Sequence, residues 1–315
     1  MIDIYYEEKG KVKSAKAGSL KSLKGKKMWL DITGMTEKEN KLIQEIFELH
    51  ALTAEDLFDT NNSRIKLEEF PEYLFCVFYG IQKEKSIKLN EIDFIIGKNF
   101  LITNHKKAVD SFETLKKKTE KLDMLFSKGL DFVFHKLLDL EIDNYYPILE
   151  MIDDQIEAIE DEVTKKVRPG SLSRILSLKR KIISIKRVVI PQREKISMLT
   201  KGDRKFISKK SVPYFRDIYD HSIRVADTVD NYREAVGSTF DAYMSAVSNN
   251  MNEVMKILSI IATIALPLVV VSGIYGTNFD VLPGKDHPYG FWIMIGSMLA
   301  LAGYMVHISR KKGWF

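Results

Sequence analysis

The chain has 315 residues, 45% of them apolar and 29% charged, with a formal net charge of +5. That length leaves room for more than one domain, and so small a cationic excess over 43 acids gives no basis for a nucleic-acid-binding surface. The single cysteine, Cys76, lies in the apolar run Tyr73 to Tyr79, which excludes an intrachain disulfide framework and reads as a small core residue in a reducing compartment.

The first residues, Met1-Ile2-Asp3-Ile4-Tyr5-Tyr6-Glu7-Glu8-Lys9, lack the basic stretch followed by an apolar one that marks a cleaved signal. Residues 1–129 are expected to form a cytoplasmic α/β domain. Ile2 to Tyr6, Met28 to Ile32, Tyr73 to Tyr79, Glu91 to Ile96 and Phe100 to Thr103 are rich in β-branched or aromatic residues and bounded by turn signals, as strands are. Thr36-Glu37-Lys38-Glu39 has the pattern of a capping box, opening a helix with Leu42, Ile43, Ile46 and Leu49 on one face.

From Leu130 the pattern turns helical, and residues 130–210 read as a helical hairpin with its linker. One helix is expected to run to about Val167, with Leu138, Ile142, Leu149, Ile152, Ile156 and Ile159 at three- and four-residue steps, stopped by Arg168-Pro169-Gly170. The next, Ser171 to Thr200, carries Ile175, Leu178, Ile182, Ile185 and Val189, with Pro191 as a candidate kink. The first is acidic towards its end (Asp153, Asp154, Glu157, Glu160, Asp161, Glu162) and the second basic (Arg174, Lys179, Arg180, Lys181, Lys186, Arg187, Arg193). These charges fit two solvated faces of an antiparallel pair at least as well as a partner site, since exposed ion pairs contribute little.

After the polar linker Lys201 to Lys210, Val212-Pro213 opens a third helix, proline being tolerated in a first turn. No proline follows until Pro267, and Gly237 is the one glycine before that; continued to Tyr275, the helix makes a rod of about 95 Å at 1.5 Å per residue. Residues 211–276 are therefore one long helix. Its last part, Ile257 to Tyr275, is uncharged and about long enough to cross a bilayer. Residues 289–309 form a second such run, with His307 as its one histidine and no Asp, Glu, Lys or Arg. A buried hairpin in a soluble core is the alternative, but two runs near spanning length around the short polar loop 277–288 match the membrane pattern. Lys256 precedes the first span, and Arg310, Lys311 and Lys312 in the tail 310–315 follow the second; the loop holds Asp280, Asp286 and one lysine, Lys285. The positive-inside rule places both termini in the cytoplasm of a multi-pass cell-membrane protein.

Two spans cannot shield a polar path within one chain, so transport would require several copies. Asp241, Ser245, Ser248, Asn252, Met255, Leu258, Ser259, Ala262, Leu266 and Val269 recur at three- or four-residue steps, polar first and apolar deeper. Such a seam is more often a helix-packing face than a pore lining.

Directly after the first span stands Gly273-Ile274-Tyr275-Gly276-Thr277-Asn278-Phe279. Set between two C-terminal spans, it resembles the aromatic-Gly-Met-Asn signature of the CorA family of magnesium and cobalt channels, with Thr277 in place of the usual Met. Val212-Pro213-Tyr214-Phe215-Arg216-Asp217, Asn252-Glu253-Val254-Met255-Lys256, Pro267 and the basic tail ending at Phe315 extend the likeness. The resemblance implies a funnel-shaped homopentamer in lipid, an α/β cytoplasmic domain followed by long helices and two transmembrane helices. It implies a selectivity filter at Tyr275, Gly276, Thr277 and Asn278 and a pore lined by Asp241, Asn252, Met255, Leu258, Leu266 and Val269. Asn278 amides would hold hydrated Mg²⁺, Asn252 would form a second hydrated-ion ring, and the apolar positions would gate by dewetting. It also implies a regulatory Mg²⁺ at a subunit interface, with Asp217 and His221 as ligands and Glu84 or Asp93 as partner from the α/β domain; by position alone Asp217 and His221 are an ordinary solvated pair. Asp280 and Asp286 either concentrate cations at the mouth or are plain loop carboxylates. No nucleophile with its base, Cys/His metal pattern or cofactor loop marks an enzyme. A zinc, cobalt or nickel channel on the same scaffold and a membrane-anchored sensor remain as alternatives.

Overall fold

The computed structural model describes the chain except for residues 60–63, 84–86, 166–167, 203, 279, 281, 285 and 314–315 and the side chain of Lys83. It divides into two compact units, Met1–Glu162 with Pro169–Thr239, and Val163–Arg168 with Phe240–Phe315.

The first unit is built on a seven-stranded sheet. β1 (Ile2–Glu8) turns at Lys9-Gly10, both at positive φ (53° and 76°) as a two-residue hairpin turn requires, into β2 (Lys11–Lys16). β3 (Met28–Thr33), β4 (Lys66–Glu69), β5 (Tyr73–Lys83), β6 (Ile87–Gly97) and β7 (Phe100–His105) complete the order β2-β1-β3-β7-β6-β5-β4. Only β3 and β7 run parallel; the other pairings are antiparallel. The five expected strands are all present, each longer than its apolar core suggested. β2 and β4 were not expected: they are edge strands rich in lysine and glutamate, with no apolar alternation to reveal them.

Both faces of the sheet are covered. On one, α1 (Glu37–Phe47) and α2 (Ala51–Phe58) pack Ile43, Ile46, Phe47 and Leu57 against Ile4, Leu30, Phe75, Val77 and Ile95. Both halves of the capping box form: Thr36 Oγ1 accepts from Glu39 N at 3.3 Å, and Glu39 Oε2 accepts from Thr36 N at 2.9 Å. α1 stops at Glu48, which is left-handed, so Leu49 lies outside the helix although it stays buried. On the other face, α3 (Asp110–Lys116), α4 (Thr119–Lys128) and α5 (Leu130–Asp143) bring Phe112 and Phe134 against Trp29 and Phe94. There Asp31 is fully buried between His105 (2.9 Å), Lys116 (2.6 Å) and the Thr103 hydroxyl. Burial alone would raise its pKa, but His105 and Lys116 hold the carboxylate below its ordinary value.

α6 spans Tyr145–Lys165 and α7 Ser171–Leu199. The single helix expected from Leu130 to Val167 is thus two, broken at Asn144. Pro147 has no amide hydrogen for the Asp143 carbonyl, so the ladder loses a bond there, while Asn144 stays right-handed and its N–H still makes the ordinary helical bond to Leu140 O at 3.2 Å. α6 and α7 run antiparallel, with Glu162 paired to Arg174 and accepting from Ser171, and Lys181 reaching Gln155. Lys186 of the basic helix instead pairs with Asp230 of α8 (Val212–Tyr275). β4 begins, at Lys66, opposite Val77, and beyond that point the β5 edge is closed by side chains: Tyr79 N donates to Gln192 Oε1 (2.6 Å) and Tyr79 O accepts from Tyr145 Oη (2.8 Å).

In the second unit, residues 240–275 of α8 lie against α9 (Gly290–Lys311), with Ile260 and Ser309 buried and Lys256 Nζ donating to Gly313 O at 3.3 Å. Both helices have apolar stretches long enough to cross a membrane and otherwise uncovered.

Candidate ion pathway and outer loop

α8 is continuous for 64 residues through Pro267. Ser208 and Ser211 close its start, Ser211 N donating to Ser208 Oγ and Ser208 N to Asp131 Oδ2. In the second unit its two sides differ. Ile260, Ile264, Pro267, Leu268 and Val271 are buried or half-buried, and at about 100° per residue they form one face. Asp241, Asn252, Met255, Leu258, Leu266 and Val269 lie on the opposite face and are all exposed. α9 therefore leaves uncovered the stripe whose spacing suited a seam or a pore, polar at Asp241 to Asn252 and apolar from Met255 onward. An apolar surface of this size is not left bare in a monomer without a partner or a membrane.

The helix ends in a braced turn. Gly276 N donates to Ser272 O (3.0 Å), and both the amide (3.2 Å) and the hydroxyl (2.8 Å) of Thr277 donate to Ile274 O, satisfying carbonyls that a helix end leaves open. Tyr275 Oη reaches across the loop to Pro283 O at 2.8 Å. Asn278 follows, exposed and without a hydrogen bond among the described residues. A methyl on Gly276 would meet Ser272 O at 3.3 Å, a tight contact. At Gly290 it would lie 2.1 Å from Gly284 O, with Gly284 itself at φ 80°. The loop thus needs glycine most at Gly290, a residue that no sequence motif singled out. Beneath it a cavity of about 400 Å³ opens between Tyr275, Thr277, Leu282, Gly284, Phe291 and Met294. Asp280 and Asp286 are exposed.

Near the start of α8, Asp217 and His221 stand 4.0 Å apart, and His221 Nδ1 lies 3.8 Å from Asp143 Oδ1. Asp139, Asp143 and His221 each offer a ligand atom, all within 4.8 Å of one another. Burial and then the neighbouring Asp139 push the Asp143 carboxyl above its ordinary pKa, with Lys136 and His221 opposing them. His221 Nδ1 is buried without a hydrogen-bond partner among the described residues. Two carboxylates and an imidazole fit a divalent cation, with imidazole favouring the later transition metals over Mg²⁺.

Of the expected partners for this pair, Glu84 lies outside the described residues. Asp93 is fully buried in β6, where it accepts from Asn104 Nδ2 at 2.9 Å and burial drives its pKa well above the ordinary value. A carboxyl enclosed in the sheet cannot reach an ion at the surface, so the structure puts Asp139 and Asp143 of α5 beside His221 in its place. Their four-residue spacing, matching that of Asp217 and His221, was the available signal.

Comparison with known proteins identifies the family. The chain is 34% identical over 291 residues to the cobalt/magnesium transport protein CorA of Thermotoga maritima, covering 91% of this chain and 83% of that protein. It is 29% identical over 287 residues to the putative metal ion transporter YfjQ of Bacillus subtilis, covering 91% and 89%. Its fold matches the complete structure of the CorA magnesium transporter from Methanocaldococcus jannaschii at TM-score 0.87 and 22% identity, over 100% of this chain and 99% of that one. With residues 25–311 matching the family described as CorA-like Mg2+ transporter protein, the chain belongs to that family, a membrane transporter and not an enzyme.

Proposed function

We propose that the chain is one subunit of a homo-oligomer, a pentamer by the family resemblance, that conducts Mg²⁺, and Co²⁺ with it, into the cell. The observation that carries this is the exposed stripe from Asp241 to Val269, which copies of itself around an axis would cover and which leads to the Asn278 turn. Residues 1–129 serve as the cytoplasmic α/β domain, 130–210 as its helical hairpin and linker, 211–276 as the pore helix, 277–288 as the outer loop, 289–309 as the second span and 310–315 as the inner tail. Lys256, Arg310 and Lys311 hold both termini on the cytoplasmic side, while exposed Tyr289, Phe291 and Trp292 suit the outer lipid interface.

Mg²⁺ sheds water reluctantly. A ring of Asn278 amide oxygens, set on Tyr275, Gly276 and Thr277, accepts hydrogen bonds from the ion's bound waters without removing them. Asn252 repeats that service deeper in, and Met255, Leu258, Leu266 and Val269 exclude ions when the ring narrows and dries. Asp241 receives the cation at the inner end. A divalent ion gains about 4.6 kcal/mol per 100 mV of inside-negative potential, enough to drive uptake without a nucleotide.

Closure is assigned to a cytoplasmic divalent ion held by Asp139, Asp143 and His221 with Asp217 beside them. Bound Mg²⁺ stabilises the closed arrangement by its differential affinity for it, and the carboxylates repel one another when it leaves. His221 and Thr277 also keep a second assignment in view, transport or sensing of Co²⁺, Ni²⁺ or Zn²⁺ on the same scaffold. Flux of Mg²⁺, Co²⁺, Ni²⁺ and Zn²⁺ into liposomes holding only this protein tests both. Mg²⁺ uptake by wild type and none by an assembled Asn278→Ala protein is expected; equal uptake by the two ends the filter assignment.

A further inference from the structure

Thr277 is bound in a way that fixes what it can offer an ion. A hydroxyl has one donor and two acceptor lone pairs. Here the donor is spent inward, on Ile274 O at 2.8 Å, beside the Thr277 amide that donates to the same carbonyl at 3.2 Å. The residue is exposed, and no described group donates to Oγ1. The lone pairs that remain accept only. A hydrated cation presents the opposite surface: its oxygens face the metal, and only O–H groups point outward. A threonine whose hydroxyl were free to rotate would show donor and acceptor alternately, whereas this one has its polarity set by the helix end.

We propose that Thr277 is a specificity-determining residue of the mouth, its hydroxyl forming an acceptor ring next to that of Asn278 and binding the first-shell waters of a hydrated divalent cation. This deepens the filter assignment and rests on it. The brace from Tyr275 Oη to Pro283 O and the close approach of Gly290 to Gly284 hold the turn in which both acceptors sit. Serine keeps the hydroxyl and its inward bond, valine keeps the shape and removes both, and methionine supplies neither donor nor oxygen acceptor.

The test is concentration-dependent Mg²⁺ flux in liposomes for wild type, Thr277→Ser, Thr277→Val and Asn278→Ala, each confirmed as assembled. Loss of acceptors to a charged, hydrated partner is expected to raise the half-saturating Mg²⁺ of Thr277→Val about tenfold. Its maximal flux should be largely kept, and Thr277→Ser should stay within about twofold of wild type. If the hydroxyl only caps the helix, Thr277→Val loses maximal flux or assembly at unchanged half-saturation, and the inference fails. It fails equally if serine is as impaired as valine. Wild-type flux from Asn278→Ala overturns the underlying filter assignment, whereas an inactive Asn278→Ala beside a Thr277→Val protein of wild-type half-saturation overturns only the role of Thr277.

Discussion

Gly290, the first residue of α9, makes the tightest backbone contact of the described glycines around the outer loop. A methyl added there would sit 2.1 Å from the carbonyl oxygen of Gly284, where ordinary contact begins near 3.4 Å. The missing 1.3 Å must come from backbone, because the obstructing atom is itself backbone and Gly284 is already at φ 80°. Overpacking of this kind costs about 1–3 kcal/mol. It falls on the turn that starts α9 and, through Tyr275 and Pro283, on the turn that carries Asn278. Gly290→Ala should therefore lower the thermal stability of the purified full-length protein and reduce Mg²⁺ flux per assembled oligomer. Gly296→Ala is the control: its methyl meets nothing within 4 Å, and alanine favours a helix interior by up to about 1 kcal/mol. Equal stability and flux in the two variants would refute the account of a loop held by glycine contact.

Other expectations concern the first unit. Lys116→Met removes a compensating charge from buried Asp31 and should destabilise by about 3–5 kcal/mol, whereas Asp31→Asn with Lys116→Met should recover much of this; urea unfolding of all three proteins decides it. Glu141 is buried against Gly80, and burial raises its pKa from 4.5 to about 7. The folded protein keeps a proton there that the unfolded chain has lost, so stability should fall as pH rises from about 4.5 to about 7, by at most about 3 kcal/mol. Glu141→Gln should flatten that slope; an unchanged slope assigns it elsewhere. Gln192→Leu leaves the Tyr79 amide at the sheet edge without its acceptor and should cost about 1–3 kcal/mol in the same unfolding assay. Excised-patch currents should show Asp143→Asn closing only at higher cytoplasmic Mg²⁺ than wild type, and closure over the same range would remove Asp143 from the sensor.

What was legible in the sequence was what apolar periodicity and end signals encode. Thr36 and Glu39 announced their helix by chemistry local to four residues, and the long helix showed in the lack of any proline between Pro213 and Pro267, although it also runs on through Pro267 itself to Tyr275. β2 and β4 escaped because edge strands are held by backbone pairing to a neighbour and carry lysines and glutamates on their exposed faces. The break at Asn144 was hidden by apolar residues that keep helical spacing across it, with only Pro147 to betray it. Asp93 looked like any surface acid in a strand, since burial depends on which face the helices cover. Asp139 and Asp143 meet His221 only because α5 and α8 pack together, a relation between residues about eighty apart that no local pattern contains.

The order of the elements along the chain has a consequence for how the protein is made. Every strand of the sheet lies before residue 106, and 151 residues separate His105 from Ile257, where the first apolar span begins. At about 5–20 residues per second, synthesis of that interval takes roughly 8–30 s, longer than small domains commonly need to fold. The sheet can close while neither span has left the ribosome, so the hydrophobic segments emerge last, attached to a structure already complete. Insertion must then be late and rapid, and a delay would expose the two apolar helices to water with a folded domain in tow.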